Sequence, residues 1–171
     1  MMRMRLLILF VLISLTGSAQ IGMGQWRLHV PANKAIDVVA LTDRVFTAYQ
    51  NGLSEFEFAS NELSVWDVVN SLSDISLSCL GHSTANNSVF IGYENGNIDK
   101  IKNNQVTNIP AIKLAEIQGS KRINKIVEFE NYMYLATGFA IVKIDPIKNE
   151  VKDTYYPTNG NQAILDIAFR N

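Results

Sequence analysis

Few residues in this sequence could carry catalysis. Histidine occurs twice, as His29 and His82, and cysteine once, as Cys79, which leaves neither a Cys-based zinc site nor a His-rich metal site. No Ser/His/Asp set is suggested by spacing, and no glycine-rich phosphate loop is present. The acids nearest the starts of apolar runs are Asp37, Asp74 and Asp166, a sparse set for the paired carboxylates of a hydrolase or lyase. The chain does offer binding chemistry. The Asn-Gly pairs Asn51-Gly52 and Asn95-Gly96 could line a ligand face, with Asn97 directly behind the latter. The long stretch Ile109–Arg122 carries Lys113, Lys121 and Arg122, whose cations could pair with phosphate or uronate groups of a sugar. Asn51, Asn95, Asn97, Lys113, Lys121 and Arg122 are therefore the candidate ligand-binding residues. Each also has a plainer reading, as turn chemistry or as a solvated loop. No catalytic residue, cofactor or metal is expected.

Composition agrees with a binding module. The chain has 171 residues, 47% hydrophobic and 18% charged, as in a globular domain or part of one. A net charge of −1 leaves no basic footprint for nucleic acid. Residues 1–19 read as a secretory signal peptide: Arg3 and Arg5, then the apolar run Leu6–Ile13, then small residues ending at Gly17 and Ala19. The run is too short for the roughly 20 residues of a spanning helix, so export with cleavage near Gln20 is expected. Cys79, within the apolar-alternating Ile75–Leu80, reads as a small buried hydrophobe. His82 is expected in an exposed turn, Gly81–Asn87. Asn86-Asn87-Ser88 is a formal glycosylation sequon of little weight.

An internal repeat organises the remainder. Val45-Phe46-Thr47-Ala48-Tyr49-Gln50-Asn51-Gly52 and Val89-Phe90-Ile91-Gly92-Tyr93-Glu94-Asn95-Gly96 share five of eight residues at an offset of 44, and the same pattern returns at Met133-Tyr134-Leu135-Ala136-Thr137. Each unit reads as four short strands, with inner strands rich in Ile, Val and Leu and polar outer ones. Asn51-Gly52 is expected to form a type I′ hairpin turn. Four-stranded units of this length indicate an all-β fold, a β-propeller of about three blades plus the first strand of a fourth. The boundaries are a segment over 20–35, blades over about 36–72, 75–108 and 123–155, and a new blade from 164, within an incomplete propeller over 36–171. The unit is not a WD40 repeat, because Trp66-Asp67 does not recur 44 residues later. An open arc leaves blade faces uncovered, so the chain is expected to be an N-terminal fragment of a longer protein. Phe46, Phe90 and Tyr134 are expected at equivalent buried positions. Asp37, Ser76 and Asn124 occupy places that can face a central channel.

The ordered series of segments carries a resemblance. Gln25-Trp26-Arg27-Leu28-His29, Asn70-Ser71-Leu72-Ser73-Asp74, Tyr93-Glu94-Asn95-Gly96-Asn97-Ile98-Asp99, Asn108-Ile109-Pro110-Ala111-Ile112-Lys113, Gly119-Ser120-Lys121-Arg122-Ile123-Asn124 and Tyr134-Leu135-Ala136-Thr137-Gly138-Phe139 resemble the PorZ-like N-terminal β-propellers of the Bacteroidetes type IX secretion system. Single units also resemble two-component-regulator propeller repeats. The first resemblance implies a non-catalytic module at the cell surface, associated with the outer membrane. It implies the partners PorU, PorV and PorQ, and binding or delivery of anionic lipopolysaccharide during cargo anchoring. The second would imply a periplasmic ligand-sensing propeller of a hybrid two-component regulator.

Overall fold

The computed structural model describes residues 34–157 and 162–170. The signal peptide over 1–19 and most of the 20–35 segment, with Trp26 and His29, lie outside the described residues. Among the described residues, twelve strands form three antiparallel sheets. The first contains β1 (Asp37–Ala40), β2 (Arg44–Tyr49), β3 (Gly52–Glu57) and β4 (Glu62–Trp66). The second contains β5 (Leu77–Ser83), β6 (Ser88–Tyr93), β7 (Ile98–Lys102) and β8 (Gln105–Asn108). The third contains β9 (Ile123–Phe129), β10 (Tyr132–Thr137), β11 (Ile141–Asp145) and β12 (Glu150–Tyr155). Neighbours in each sheet are neighbours in sequence, so each is an up-and-down blade. A one-turn helix, α1 (Ala111–Leu114), lies between the second and third blades. The arrangement is a three-bladed arc of a β-propeller. No helix among the described residues is long and apolar enough to cross a membrane.

The 44-residue offset is a structural one. The second strands occupy 44–49, 88–93 and 132–137. Phe46, Phe90 and Tyr134 are thus the third residue of equivalent strands. Alternation then assigns faces. Phe46 and Ala48 of the first blade meet Val89 and Ile91 of the second in one core cluster. Phe90 of the second blade meets Met133 and Leu135 of the third in another. Phe46 and Phe90 are fully buried. Tyr134 is only half-buried, because its face of the third blade carries no further sheet among the described residues. The opposite face of the first blade is likewise open and leaves Val38, Leu63 and Val65 exposed.

The hairpins use a different chemistry from the one the sequence advertises. Tyr49 pairs with Gly52, so the turn residues are Gln50 and Asn51. None of Gln50, Asn51 and Gly52 takes a positive φ, and Gly52 belongs to β3. The expected type I′ turn is therefore absent there. It forms at Asn103-Asn104 (φ 50° and 58°) between β7 and β8, and at Glu130-Asn131 (φ 49° and 64°) between β9 and β10. Asparagine tolerates the left-handed region without needing glycine, and strand register, not the Asn-Gly pair, decides which residues turn.

Polar groups tie blade to blade. Asp37 Oδ2 accepts from the Leu80 N–H at 2.9 Å, Ser78 Oγ donates to the Ile123 carbonyl at 2.7 Å, and Asn124 Nδ2 donates to the Ile164 carbonyl at 2.8 Å. Asp37 and Asn124 therefore bind the next unit, not a channel. Ser76 stands just before β5 at φ 62°, and its place is taken by Ser78. Glu128 near the end of β9 accepts from the Thr84 and Ser83 hydroxyls and from the Thr84 and Ala85 N–H groups of the second blade. Burial pushes its carboxyl up, but these donors hold it below the usual carboxylate range. Lys100 Nζ donates to Asn149 Oδ1 at 2.5 Å and to the Pro146 carbonyl at 3.1 Å. Asn86 Nδ2 is spent on the same Pro146 carbonyl at 2.6 Å, within the former sequon.

Two further expectations change. His82 lies in β5 rather than in a turn and is half-buried, its Nε2 enclosed without a hydrogen-bond partner. The β5–β6 turn is shorter than expected because β5 runs on to Ser83, whose hydroxyl Glu128 holds. Residues 162–170 form no strand. A strand needs a ladder partner, and among the described residues no later strand stands beside this segment. It nevertheless docks on the third blade: the Ile164 N–H donates to the Thr137 carbonyl at 2.9 Å.

Candidate functional site

In an up-and-down blade, the turn between second and third strands and the connection to the next blade emerge at the same end. Asn51, Glu94–Asn97 and the segment 109–122 therefore meet at one end of the arc. What lets them meet is Gly96. Its φ of 83° suits glycine, and an added Cβ would stand 2.9 Å from Ile112 Cγ2 and 2.9 Å from Lys121 Cβ. The 109–122 connection lies directly on the β6–β7 turn, anchored by buried Ile109 and Ile112. It is a packed element, not a solvated loop.

This packing gathers the candidate residues around two acids. Asp74 Oδ2 accepts from Asn95 Nδ2 at 2.6 Å, from Lys113 Nζ at 2.6 Å and from Asn97 Nδ2 at 3.3 Å. Burial pushes the Asp74 carboxyl up, but the Lys113 ammonium, the Asn95 amide and the Ile75 N–H together hold it below the usual carboxylate range. Lys121 Nζ donates to the Lys113 carbonyl at 2.7 Å. Arg122 forms an ion pair with Glu94. Asn51, Glu94 and Arg122 line one cleft of about 540 Å³, together with Lys34, Ile36 and Gln50. Its walls are fixed by the Leu77 N–H donating to the Gln50 carbonyl at 2.9 Å and the Glu94 N–H donating to the Ser76 carbonyl at 3.0 Å.

The six residues separate by availability. Asn97 is 2% exposed, and its Oδ1 accepts from Asn108 Nδ2 at 2.9 Å, so it supports the turn and presents nothing to solvent. Asn95 is exposed, but its amide oxygen accepts from the Asn97 N–H at 3.0 Å and its amide nitrogen donates to Asp74. Lys113 and Lys121 belong to the Asp74 cluster. Asn51 and Arg122 remain at the cleft. Sequence reasoning missed Glu94, Gln50 and Lys34 as lining groups and Asp74 as the acid that holds Lys113. The near-balance of charges was the available signal, because cations in such a chain find carboxylates.

Beneath the cluster, Asp99 is fully buried. It accepts from the Tyr93 hydroxyl at 2.7 Å, the Ser73 N–H at 2.8 Å and Asn108 Nδ2 at 2.9 Å. Burial and the Asp99 carboxylate push the Tyr93 phenol well above its usual range. This network pins the residues before Asp74 to β7. Among the described residues no group of three His, Cys, Asp or Glu side chains could hold a metal ion. Of the acids considered for hydrolysis, Asp37 binds Leu80, Asp74 binds Lys113, and Asp166 accepts from the Ile167 N–H at 2.8 Å.

The family model for the PorZ N-terminal β-propeller domain of the type IX secretion system matches residues 45–171. A solved structure of PorZ from Porphyromonas gingivalis, described as an essential bacterial surface component of the type IX secretion system, is 31% identical with a TM-score of 0.66. That match covers 71% of this chain and 17% of the PorZ chain, so the sequence spans about a sixth of that relative's length. The extracellular domain of a hybrid two-component system from B. thetaiotaomicron is 16% identical at a TM-score of 0.62, over 82% of this chain and 18% of its own, a likeness of fold. The WD40 repeats of RRP9 share the fold at 11% identity and a TM-score of 0.58, over 74% of this chain and 39% of theirs. No curated protein matches the sequence.

Proposed function

This chain belongs to the family of the PorZ N-terminal β-propeller domain, and from that membership we propose that it is an exported, non-catalytic recognition module of a type IX secretion attachment complex. The observation that carries the reading is the family match over residues 45–171, which takes in all six candidate residues. The leader pattern over 1–19 supports export to the periplasm or cell surface. The proposed ligand is anionic lipopolysaccharide, and the proposed partners are PorU, PorV and PorQ. The ligand face is the end of the arc that carries Asn51 and Arg122, with the Asp74 cluster as the frame that holds Asn95, Lys113 and Lys121 in place. An arginine and amide side chains on rigid turns suit an acidic sugar: the guanidinium for the anion, the amides for hydroxyls.

The test is binding of purified anionic lipopolysaccharide, with a neutral polysaccharide as control. Wild-type protein is expected to retain the anionic form, and Arg122→Ala to retain several-fold less. Equal retention of both polysaccharides would remove the reading.

A further inference from the structure

We infer that Glu94 is a built-in competitor at the cleft: its carboxylate occupies Arg122 in the free chain, and an acidic sugar binds by taking Arg122 from it. This rests on the reading of the cleft as the ligand site.

The two ion pairs at this end of the arc differ in kind. The cations are equally exposed, at 41% for Lys113 and for Arg122, but the Asp74 side chain is 15% exposed and one of its oxygens takes three donors, so Lys113 is held by a largely buried acceptor. Lys121 is bound to the Lys113 backbone. Lys113 cannot turn to a ligand without leaving the Asp74 carboxylate that also holds Asn95 and Asn97 of the β6–β7 turn. The Arg122–Glu94 pair is open, with side chains 41% and 49% exposed. Exposed pairs of this kind contribute little, so their exchange is easy. Arg122 is also tied through its backbone: its carbonyl accepts from the Gly138 N–H at 2.9 Å. The guanidinium can therefore change partner while the chain beneath it stays in place.

The cleft supplies the rest of an acidic-sugar site. Gln50 and Asn51 bring amides for hydroxyls, Ile36 an apolar surface for a ring, and Lys34 a second cation. An anion at Arg122 sits beside the displaced Glu94 carboxylate, and like charges at that range repel. Glu94 thus weakens binding twice, by holding Arg122 and by repelling what replaces it. It makes the site demand an anion strong enough to displace a carboxylate, while a neutral sugar, which does not compete for Arg122, is unaffected by it.

The experiment uses the full chain as wild type, Glu94→Gln and the double variant Glu94→Gln/Arg122→Ala, titrated with trigalacturonate, neutral trigalactose and inorganic phosphate and followed by NMR. Glu94→Gln is expected to bind trigalacturonate roughly fivefold more tightly than wild type, an effect that shrinks with added salt. Arg122→Ala in the Glu94→Gln background is expected to abolish the gain, and trigalactose binding is expected to be unchanged. A parallel gain for inorganic phosphate would extend the site to phosphorylated sugars, and its absence would restrict the site to uronates. Equal or weaker trigalacturonate binding by a folded Glu94→Gln variant overturns the inference, as does the lack of saturable binding by any variant. The functional reading fails separately: if the Glu94→Gln gain appears while wild type ignores anionic lipopolysaccharide, the competitor stands and the lipopolysaccharide assignment falls.

Discussion

Phe169 stacks flat on Phe129, the ring centroids 4.3 Å apart and the planes within 4° of parallel. The same Phe169 ring lies 4.8 Å from Tyr134, and Lys143 Nζ stands 3.9 Å above the Tyr132 ring. The third blade's outer face, which the 44-residue pattern marks as a packing face, is thus partly covered by the docked segment 162–170. Phe169→Ala is expected to lower stability by about 1–2 kcal/mol, from lost stacking and lost apolar burial. Urea denaturation measures the loss. Hydrogen exchange should show it concentrated in β9 and β10, and a uniform effect across all three blades would contradict the docking.

Gly92 sets how closely the second and third blades approach. A Cβ there would stand 2.8 Å from Cys79 Sγ and 2.9 Å from Ile123 Cγ2. Gly92→Ala is expected to cost about 1–3 kcal/mol by overpacking. Gly119, where an added Cβ meets nothing within 4 Å, serves as a comparison with strain from its positive φ alone. A chemical-denaturation midpoint for Gly92→Ala equal to wild type would show that the interface yields.

Asp74 predicts a pH dependence. Its folded carboxyl titrates below the ordinary range, so its contribution is present above the unfolded value of about 3.9 and is lost as pH falls through the lower folded value. Asp74→Ala is expected to cost about 1–2 kcal/mol at neutral pH, given three donors left without their acceptor and the partial exposure of the site. As pH falls through that lowered value the gap between variant and wild type should narrow. Thermal melts across that range provide the check, and a constant difference at every pH would remove the ion pair as the cause.

Cys79 is expected to be inert in the folded chain. Burial pushes its thiol up to about 12, and the side chain is 2% exposed, so the reactive thiolate is scarce and out of reach. Alkylation should occur only on unfolding, at a rate that tracks denaturant. Rapid labelling of the native protein would contradict the packing.

Much of the fold was legible because a strand repeat writes itself locally. The six-residue second strands stand 44 residues apart in sequence and in structure, and the alternation of Phe46 with Ala48 and of Phe90 with Gly92 already assigns the packing faces. Antiparallel pairing between chain neighbours needs no long-range information, which is why β10 (Tyr132–Thr137) contains the Met133–Thr137 pattern and the third sheet spans the expected 123–155. The turns were less legible. Asn51-Gly52 carries the stronger hairpin signal, yet positive φ appears at Asn103-Asn104 and Glu130-Asn131, because ladder register chooses the turning residues after the strands have paired.

The sequence by itself determined the blade period, the faces that pack, and the residue types available for binding. Only the tertiary structure decided which of those residues are free to bind. Asp74 and Lys113 are 39 residues apart, and Glu94 and Arg122 are 28 apart. Each pair forms because the 109–122 connection folds back onto the β6–β7 turn at Gly96, where a side chain would block the approach. Charge pairing is a short-range effect between groups that the chain path brings together. A list of lysines and asparagines therefore cannot tell a committed partner from an exchangeable one. That distinction rests on burial, 15% exposure for Asp74 against 49% for Glu94, and burial is a property of the assembled blades.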